Sequence, residues 1–377
     1  MPAILFVATV DSHFEKFHLP YLQWFKEQGW EVHVAARGER PLPYVDRKFD
    51  VPFERSPLKR GNWKAYRELS ALIGGGAYEV IHCHTPMGGM LARLAGWKAR
   101  RRGTKILYTA HGFHFCKGGP LVNWLLYYPV EKALARLTDC LITINSEDYW
   151  LALTRHFQAA EIAHVPGVGV QTERFRPLGP EEKTVRRREL GLPEQGILLF
   201  YAAEFNKNKN QQLLIQALAK VRVRREPEAP AVRLVLAGAG PLLAGCRELA
   251  ERLAVADRVE FLGYRDDISE LLPACDIAVA SSLREGLPVN IMEAMASGLP
   301  VVATANRGHR ELVHDGINGF IVAPGDAAGF ALRMEELAAD AALRKRMGEQ
   351  SLALVAAYSV QEVKERLGQI YARYAWV

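Results

Sequence analysis

The feature that most constrains this chain is an alternation that runs twice. Short runs of strand length are each followed by a stretch with helical periodicity. In the first half the runs are residues 4–10 (ILFVATV), 31–36 (EVHVAA), 80–84 (VIHCH), 105–109 (KILYT) and 140–144 (CLITI). Helical patterns lie between them at 19–28, 63–73, 90–102 and 124–137. The run 4–10 is apolar throughout, as expected of a strand covered on both faces. Between 175 and 194 a charged segment with several prolines reads as a linker. The alternation then restarts, with strands expected at 196–202, 232–237, 259–262, 277–280, 300–303 and 319–322. Helices are expected at 211–225, 242–253, 268–272 and 288–297, and two more follow, the last ending in residues 360–374. Repeated strand–helix alternation implies parallel sheets with helices on both faces. The expected fold is α/β, with two doubly wound domains facing across a cleft and ligands outside the carboxyl ends of strands.

Composition removes several function classes. The chain has 377 residues, 49% of them hydrophobic and 24% charged, which is ordinary globular usage. The longest nearly apolar stretch, residues 120–130, is too short to span a bilayer, for which about 20 residues are needed. The five cysteines form no C-x-x-C pair and no signal peptide precedes them, so a reduced, cytoplasmic setting is expected. The formal net charge is +6. Residues 1–180 hold 23 Lys/Arg against 16 Asp/Glu and the remainder 25 against 26, so the excess lies in the first half. Arg93, Lys98, Arg100, Arg101, Arg102 and Lys105 cluster with Trp97, and an apolar segment follows at 121–130. Such a pattern suits the surface of an anionic bilayer; it equally fits a solvated surface over core aromatics. No nucleic-acid module is visible, so nucleic acid is not expected as a partner.

The stretch Arg284-Glu285-Gly286-Leu287-Pro288-Val289-Asn290-Ile291-Met292-Glu293 follows the strand at 277–280. Pro288 suits a first helical position. The helix would then aim its free amides and the positive end of its dipole at the sheet edge, where a phosphate is favoured. Glu285 precedes the helix and Glu293 sits about one and a half turns into it, so they would reach different parts of one extended ligand. The same spacing also fits a solvated loop glutamate and an exposed helix glutamate. Gly238 and Gly240 directly follow a strand, where glycine lets a backbone approach a ligand or simply forms a tight turn. Lys209 stands near a strand end, where it could pair with a diphosphate, and Asn210 reads as the cap of the next helix. In the first half His111 lies just past a strand, His13 and His84 fall in loops after strands, and His82 reads as core. No H-E-x-x-H or H-x-x-E-H helix accompanies them, so no metal site is expected. G-x-S-x-G and phosphate-loop patterns are also absent.

Taken together and in order, these stretches resemble the retaining glycosyltransferases of family 4. The resemblance rests on residues 166–170 (PGVGV), 238–241 (GAGP), 284–293, 293–303 (EAMASGLPVVA) and Asp315-Gly316-x-Asn318-Gly319. Residues 8–11, 109–115 and 206–210 are similar to the subgroup that builds capsular and extracellular polysaccharides. The family implies a GT-B fold of two Rossmann-like domains. Residues 1–178 would bind acceptor, 179–357 would bind the nucleotide-sugar, and 358–377 would form a helix packing back on the first domain. Residue by residue, the resemblance implies that Glu293 binds the donor ribose and Glu285 contacts the transferred sugar. Lys209 would neutralise the diphosphate, His111 would touch the sugar, and the Val289 and Asn290 amides would hold phosphate. His13 and His84 become acceptor-side candidates. Arg93, Trp97, Arg100, Arg101 and Arg102 become candidates for docking at the inner face of the plasma membrane. The donor would be a UDP-sugar, with GDP left open, carrying a hexosyl or N-acetylhexosaminyl group. The acceptor would be lipid-linked or a glycan, and no cofactor or metal is expected. The rival readings are a nucleotide-sugar epimerase on the same fold and a non-catalytic partner subunit. The chain departs from the family at Glu204, where an arginine is frequent, at Pro288, where a glycine is common, at Asp11-Ser12-His13, in place of a Gly-Gly pair, and at Gln171, in place of an aspartate.

Overall fold

The structure, a computed structural model, describes residues 1–221 and 231–375. It divides into two compact units, Met1–Gly169 with Gln361–Val377, and Val170–Val360. In the first unit the strands are β1 (Ala3–Val10), β2 (Glu31–Arg37), β3 (Arg47–Asp50), β4 (Val80–His84), β5 (Lys105–Ala110), β6 (Cys140–Thr143) and β7 (Glu161–His164). They form one parallel sheet in the order β3-β2-β1-β4-β5-β6-β7. In the second unit β8 (Ile197–Ala202), β9 (Val232–Ala237), β10 (Val259–Gly263), β11 (Ile277–Ala280), β12 (Val301–Thr304) and β13 (Gly319–Val322) form another, in the order β10-β9-β8-β11-β12-β13. Both orders run 3-2-1-4-5-6, the doubly wound Rossmann arrangement. Each reverses once, between β1 and β4 and between β8 and β11, and a ligand crevice forms at such a switch point.

The central strands are buried on both faces, which is why they read as unbroken apolar runs. In the first sheet Leu5, Val7, Ile81 and Ile106 pack on one side with Leu69 and Leu91. Ile4, Phe6, Val32 and Leu107 pack on the other with Phe14, Phe25 and Tyr371. Full burial of each such side chain contributes roughly 1.5–3 kcal/mol. Tyr371 comes from the last helix, Val360–Ala375, whose Val363, Leu367 and Ile370 join the same layer. Its hydroxyl is 2.7 Å from His82 Nδ1, so His82 is a core residue bridging Tyr371 and Thr109.

Four expectations change. The edge strands β3 (RKFD) and β7 (EIAH) lack the apolar signature because neither contains a fully buried residue. The segment at 175–194 contains a helix, Pro180–Glu189, rather than only a linker. Its charges suit the dipole, with Glu181 and Glu182 in the first turn and Arg186, Arg187 and Arg188 in the last. Arg187 is buried and donates to Asp276 Oδ2 at 2.6 Å, which ties this helix into the second unit. The unit boundaries fall at 169/170 and 360/361 instead of 178/179 and 357/358. The reason is backbone pairing: Val170 N–H donates to Tyr358 O at 2.9 Å and Val360 N–H to Val170 O at 3.0 Å. The expected helix 211–225 is a helix over Gln211–Leu218, and residues 222–225 lie outside the described residues.

Candidate functional site

At the switch point of the second sheet, the loop after β8 carries Lys209 and the loop after β11 carries Glu285. The two side chains form an ion pair, Lys209 Nζ to Glu285 Oε1 at 2.6 Å, with side-chain exposures of 24% and 14%. The loops are stitched together beneath it. Leu283 N–H donates to Asn208 O at 2.8 Å, Asn208 Nδ2 to Arg284 O at 3.0 Å, and Ser281 Oγ to Lys209 O at 2.8 Å. Sequence reasoning placed Lys209 on a diphosphate and Glu285 on a sugar; the structure brings them onto each other. Asn210 does not cap its helix. It sits at the N-cap with φ 51° and no side-chain cap bond, while Asn206 Oδ1 accepts from Lys209 N–H at 3.0 Å and shapes the turn. Lys207 and Glu204 are both exposed, and Glu204 Oε2 accepts from Asn206 Nδ2 at 3.0 Å.

Gly238 and Gly240 serve this loop. Both have positive φ, and a Cβ at either would strike the backbone of Ala203 or Phe205. Phe205 N–H donates to Ala239 O at 2.9 Å and Leu242 N–H to Phe205 O at 3.0 Å. The close approach is thus between two loops of the protein, and it fixes where the Lys209 loop begins.

The helix after Glu285 spans Val289–Ala296 with Pro288 as its N-cap rather than its first helical residue, so it begins one residue later than expected. Bonds to the Pro288 carbonyl begin at Ile291 and Met292, so the Val289 and Asn290 amides belong to the unsatisfied first turn. The Asn290 side chain is engaged, donating to Ala202 O at 3.1 Å. Glu293 lies on the same helix, half-buried, and among the described residues no hydrogen bond or ion pair reaches its carboxyl. Burial pushes that carboxyl up to about 7, with Arg174 the charge that pulls it down. Two residues missed from sequence complete the surroundings. Arg307 Nε donates to Glu285 O at 3.0 Å. His309 is fully buried, held down at about 4 chiefly by burial, with Nδ1 on Thr304 O at 2.7 Å and Nε2 without a partner. Neither follows a motif; only the fold brings them to the Glu285 loop.

At the matching switch point of the first sheet the chemistry is different. His13 lies in a helix, Ser12–Phe17, rather than a loop, and His18 ends that helix. His84 is the last residue of β4, and is buried rather than sitting in a loop. His111 follows β5. His13 Nε2 is 3.1 Å from His18 Nε2, and His84 Nδ1 is 3.3 Å from His111 Nε2. The sequence offered His13, His84 and His111 as separate candidates; the fold gathers them and adds His18. Burial, reinforced by neighbouring imidazoles, holds His13, His18 and His84 well below the usual histidine range, and burial holds His111 down at about 4. All four are therefore neutral at pH 7.

The expected basic docking patch is partly internal. Arg93 is not a surface residue: it is fully buried, 3.8 Å over the Tyr108 ring, donating to Glu131 Oε2 at 2.8 Å and to Gly89 O at 2.9 Å. Its position on the helix Pro86–Arg100 faces Glu131 of the helix Leu121–Ala135, which no local charge count reveals. Arg100 is committed to Asp139, at 3.0 Å. Arg101 and Arg102 are exposed, and Arg101 and Lys98 lie 5.5 and 5.9 Å from the Trp97 ring centroid. The helix Leu121–Ala135 exposes Leu121, Val122, Leu125, Leu126 and Val130, with Leu121 80% and Leu125 75% exposed. No helix among the described residues is long and apolar enough to cross a membrane.

Comparison with known proteins gives these residues a context. The family profile "Glycosyl transferases group 1" matches residues 182–353, and that of a "Glycosyl transferase 4-like domain" matches 19–167. The chain is 50% identical over 371 residues to "Putative glycosyltransferase EpsD" of Bacillus subtilis, covering 98% of this chain and 96% of that one. It is 32% identical over 343 residues to the N-acetyl-alpha-D-glucosaminyl L-malate synthase of Bacillus anthracis, covering 86% and 84%. In fold it resembles Anabaena HepE, solved with UDP and glucose, at a TM-score of 0.79 and 20% identity over 99% of this chain and 100% of that one.

Proposed function

Because this chain belongs to the group 1 glycosyltransferases, with two Rossmann-like units of the GT-B type, we propose that it moves a sugar, with retention of configuration, from a UDP-sugar to a lipid-linked or glycan acceptor in cell-surface polysaccharide synthesis. The observation that carries this reading is the Lys209–Glu285 ion pair at the switch point of the second sheet, beside a helix whose first amides precede its hydrogen-bond ladder. In the absence of donor each charge satisfies the other, since neither could be left unpaired at low cost in a partly buried site. A nucleoside diphosphate would compete for Lys209 and for the Val289 and Asn290 amides. Glu285 would then be released towards the transferred sugar.

Glu293 supports the same assignment. A carboxyl without partners accepts well from two hydroxyls of a ribose diol, and that interaction favours its charged form. Charge leaving with the diphosphate would be stabilised by Lys209 and the helix terminus, so a metal is not required at this position. HepE was solved with UDP and glucose, which supports a nucleotide-sugar donor. The E. coli relative named UDP-Gal:alpha-D-GlcNAc-diphosphoundecaprenol alpha-1,3-galactosyltransferase, 26% identical over 327 residues and covering 85% of this chain and 83% of that one, supports a lipid-diphosphate acceptor. The exposed apolar face of Leu121–Ala135 and the basic group around Trp97 suit peripheral docking at the cytoplasmic face of an anionic membrane.

The experiment is a screen of UDP-sugars against lipid-diphosphate acceptors, with the anomeric configuration of the product read by NMR. UDP released only when acceptor is present, with a retained α-linkage, is the expected result. An altered sugar on intact UDP would replace transfer by epimerisation. UDP affinity that chelator abolishes and magnesium restores would overturn the metal-free donor site.

A further inference from the structure

Glu285 is held at both ends. Its carboxylate meets Lys209 Nζ at 2.6 Å, and its main-chain carbonyl accepts from Arg307 Nε at 3.0 Å. We propose that Arg307 is a positioning residue for the transfer reaction: it keeps the backbone of Glu285 in place while the donor draws Lys209 away. Arg307 has this role only if Glu285 faces the transferred sugar, so it rests on the function proposed above.

Arg307 opens the helix Arg307–Leu312, which follows β12. The residues from Thr304 to Gly308 lie along the loop that carries Glu285. Thr304 Oγ1 donates to Ser282 O at 2.5 Å, and Asn306 Nδ2 donates to the same carbonyl at 2.9 Å. Asn306 Oδ1 also accepts from His309 N–H at 2.9 Å, so one side chain caps the helix and grips the loop. His309, fully buried with Nδ1 on Thr304 O, closes the turn from within. The approach is closest at Gly308. A Cβ there would lie 2.8 Å from Gly286 O, 2.9 Å from Glu285 Cβ and 3.0 Å from Pro288 Cδ. On its other side the loop is tied to the Lys209 segment through Leu283 N–H and Arg284 O. Those bonds stop one residue short of Glu285. Once a diphosphate occupies Lys209, the Glu285 carboxylate loses its partner, and the bond from Arg307 to the carbonyl persists. A hydrogen bond from a charged donor is roughly twice as strong as a neutral one, and a guanidinium stays protonated throughout. The hold is needed because a misplacement of about 1 Å at a reacting centre can cost about 10²-fold in rate.

The test uses the full chain with the UDP-sugar and acceptor selected by the screen above. Arg307→Ala and Gly308→Ala disturb Glu285 from the same side by different means, one removing a bond and the other inserting a methyl group. Alanine is a better helix former than glycine, so Gly308→Ala carries no loss of helix propensity. Each variant should lower kcat by roughly 10- to 100-fold, with UDP affinity by calorimetry within about twofold of the unaltered chain. Glu285→Gln combined with Arg307→Ala should be no slower than Glu285→Gln alone, because a residue acting through Glu285 then has nothing left to position. Unchanged kcat in both single variants, UDP affinity falling in step with kcat, or a double variant slower than Glu285→Gln by the full Arg307→Ala factor would overturn the role. Turnover near the unaltered level in Glu285→Gln alone is a different failure: it would remove Glu285 from the chemistry, and the role of Arg307 with it.

Discussion

The two sheets share one strand order and differ in what stands where it reverses. After β8 and β11 the chain places a lysine against a glutamate, charges of opposite sign that a ligand can separate. After β1 and β4 it places imidazoles held neutral by burial. The fold supplies the location in both units, and the loop residues decide the chemistry. The comparison also shows two uses of an ion pair. Arg93–Glu131 is sealed inside the first unit, with 1% of the arginine side chain exposed, whereas Lys209–Glu285 keeps a quarter of its lysine open to solvent.

The sharpest way to break that contrast is to remove the sealed charge. Arg93→Ala leaves the largely covered Glu131 carboxylate, 13% exposed, without its charge partner, and should destabilise the first unit by roughly 3–5 kcal/mol in urea unfolding. A loss below about 1 kcal/mol, as for an exposed pair, would show that the two pairs are alike. Next in size is Lys209→Ala, expected to lower turnover by about 10²–10³-fold, the scale of one lost contact to developing charge, with little change in overall stability. A merely structural pair would give the reverse pattern.

Glu293 gives a smaller effect with a definite sign. Its folded pKa of about 7 exceeds the unfolded value of 4.5, so the folded state binds more protons between those pH values. Stability therefore falls as pH rises from about 4.5 to about 7, by roughly 1–3 kcal/mol, with Arg174 opposing the shift. Thermal melts of Glu293→Gln should lose that slope, and the variant should bind UDP about 1–3 kcal/mol more weakly. A parallel pH slope in wild type and variant would remove Glu293 from the account. The smallest effect belongs to the surface. Changing Lys98, Arg101 and Arg102 together to Gln should weaken sedimentation with anionic vesicles at low salt, by about 1 kcal/mol for each charge near the membrane. Unchanged binding, or equal binding to neutral vesicles, would leave the apolar face of Leu121–Ala135 as the docking element without electrostatics.

How much of this was legible in the sequence follows from the range of each interaction. The buried central strands announce themselves as apolar runs, and the strand-to-helix frame around Glu285 and Glu293 is local, so the second site could be read in outline. The Lys209–Glu285 pair joins residues 76 apart, and the histidine cluster joins three segments whose spacing matches no helix motif. Arg93 misled because six basic residues crowd one stretch, while its partner lies 38 residues away. Gly238 and Gly240 read in sequence as glycines that let a backbone approach a ligand or form a tight turn; the fold shows the Ala203–Phe205 backbone packed against them.

The central claim is that Glu285 acts on the sugar and is held by Lys209 until the donor arrives. Glu285→Gln tests it, with UDP affinity measured by calorimetry and turnover measured on the same preparation. The account predicts UDP affinity equal to or above that of the unaltered enzyme, because Lys209 has lost its internal competitor, together with turnover lower by about 10²-fold or more. Turnover near the unaltered level, or UDP affinity falling in step with it, would contradict the account.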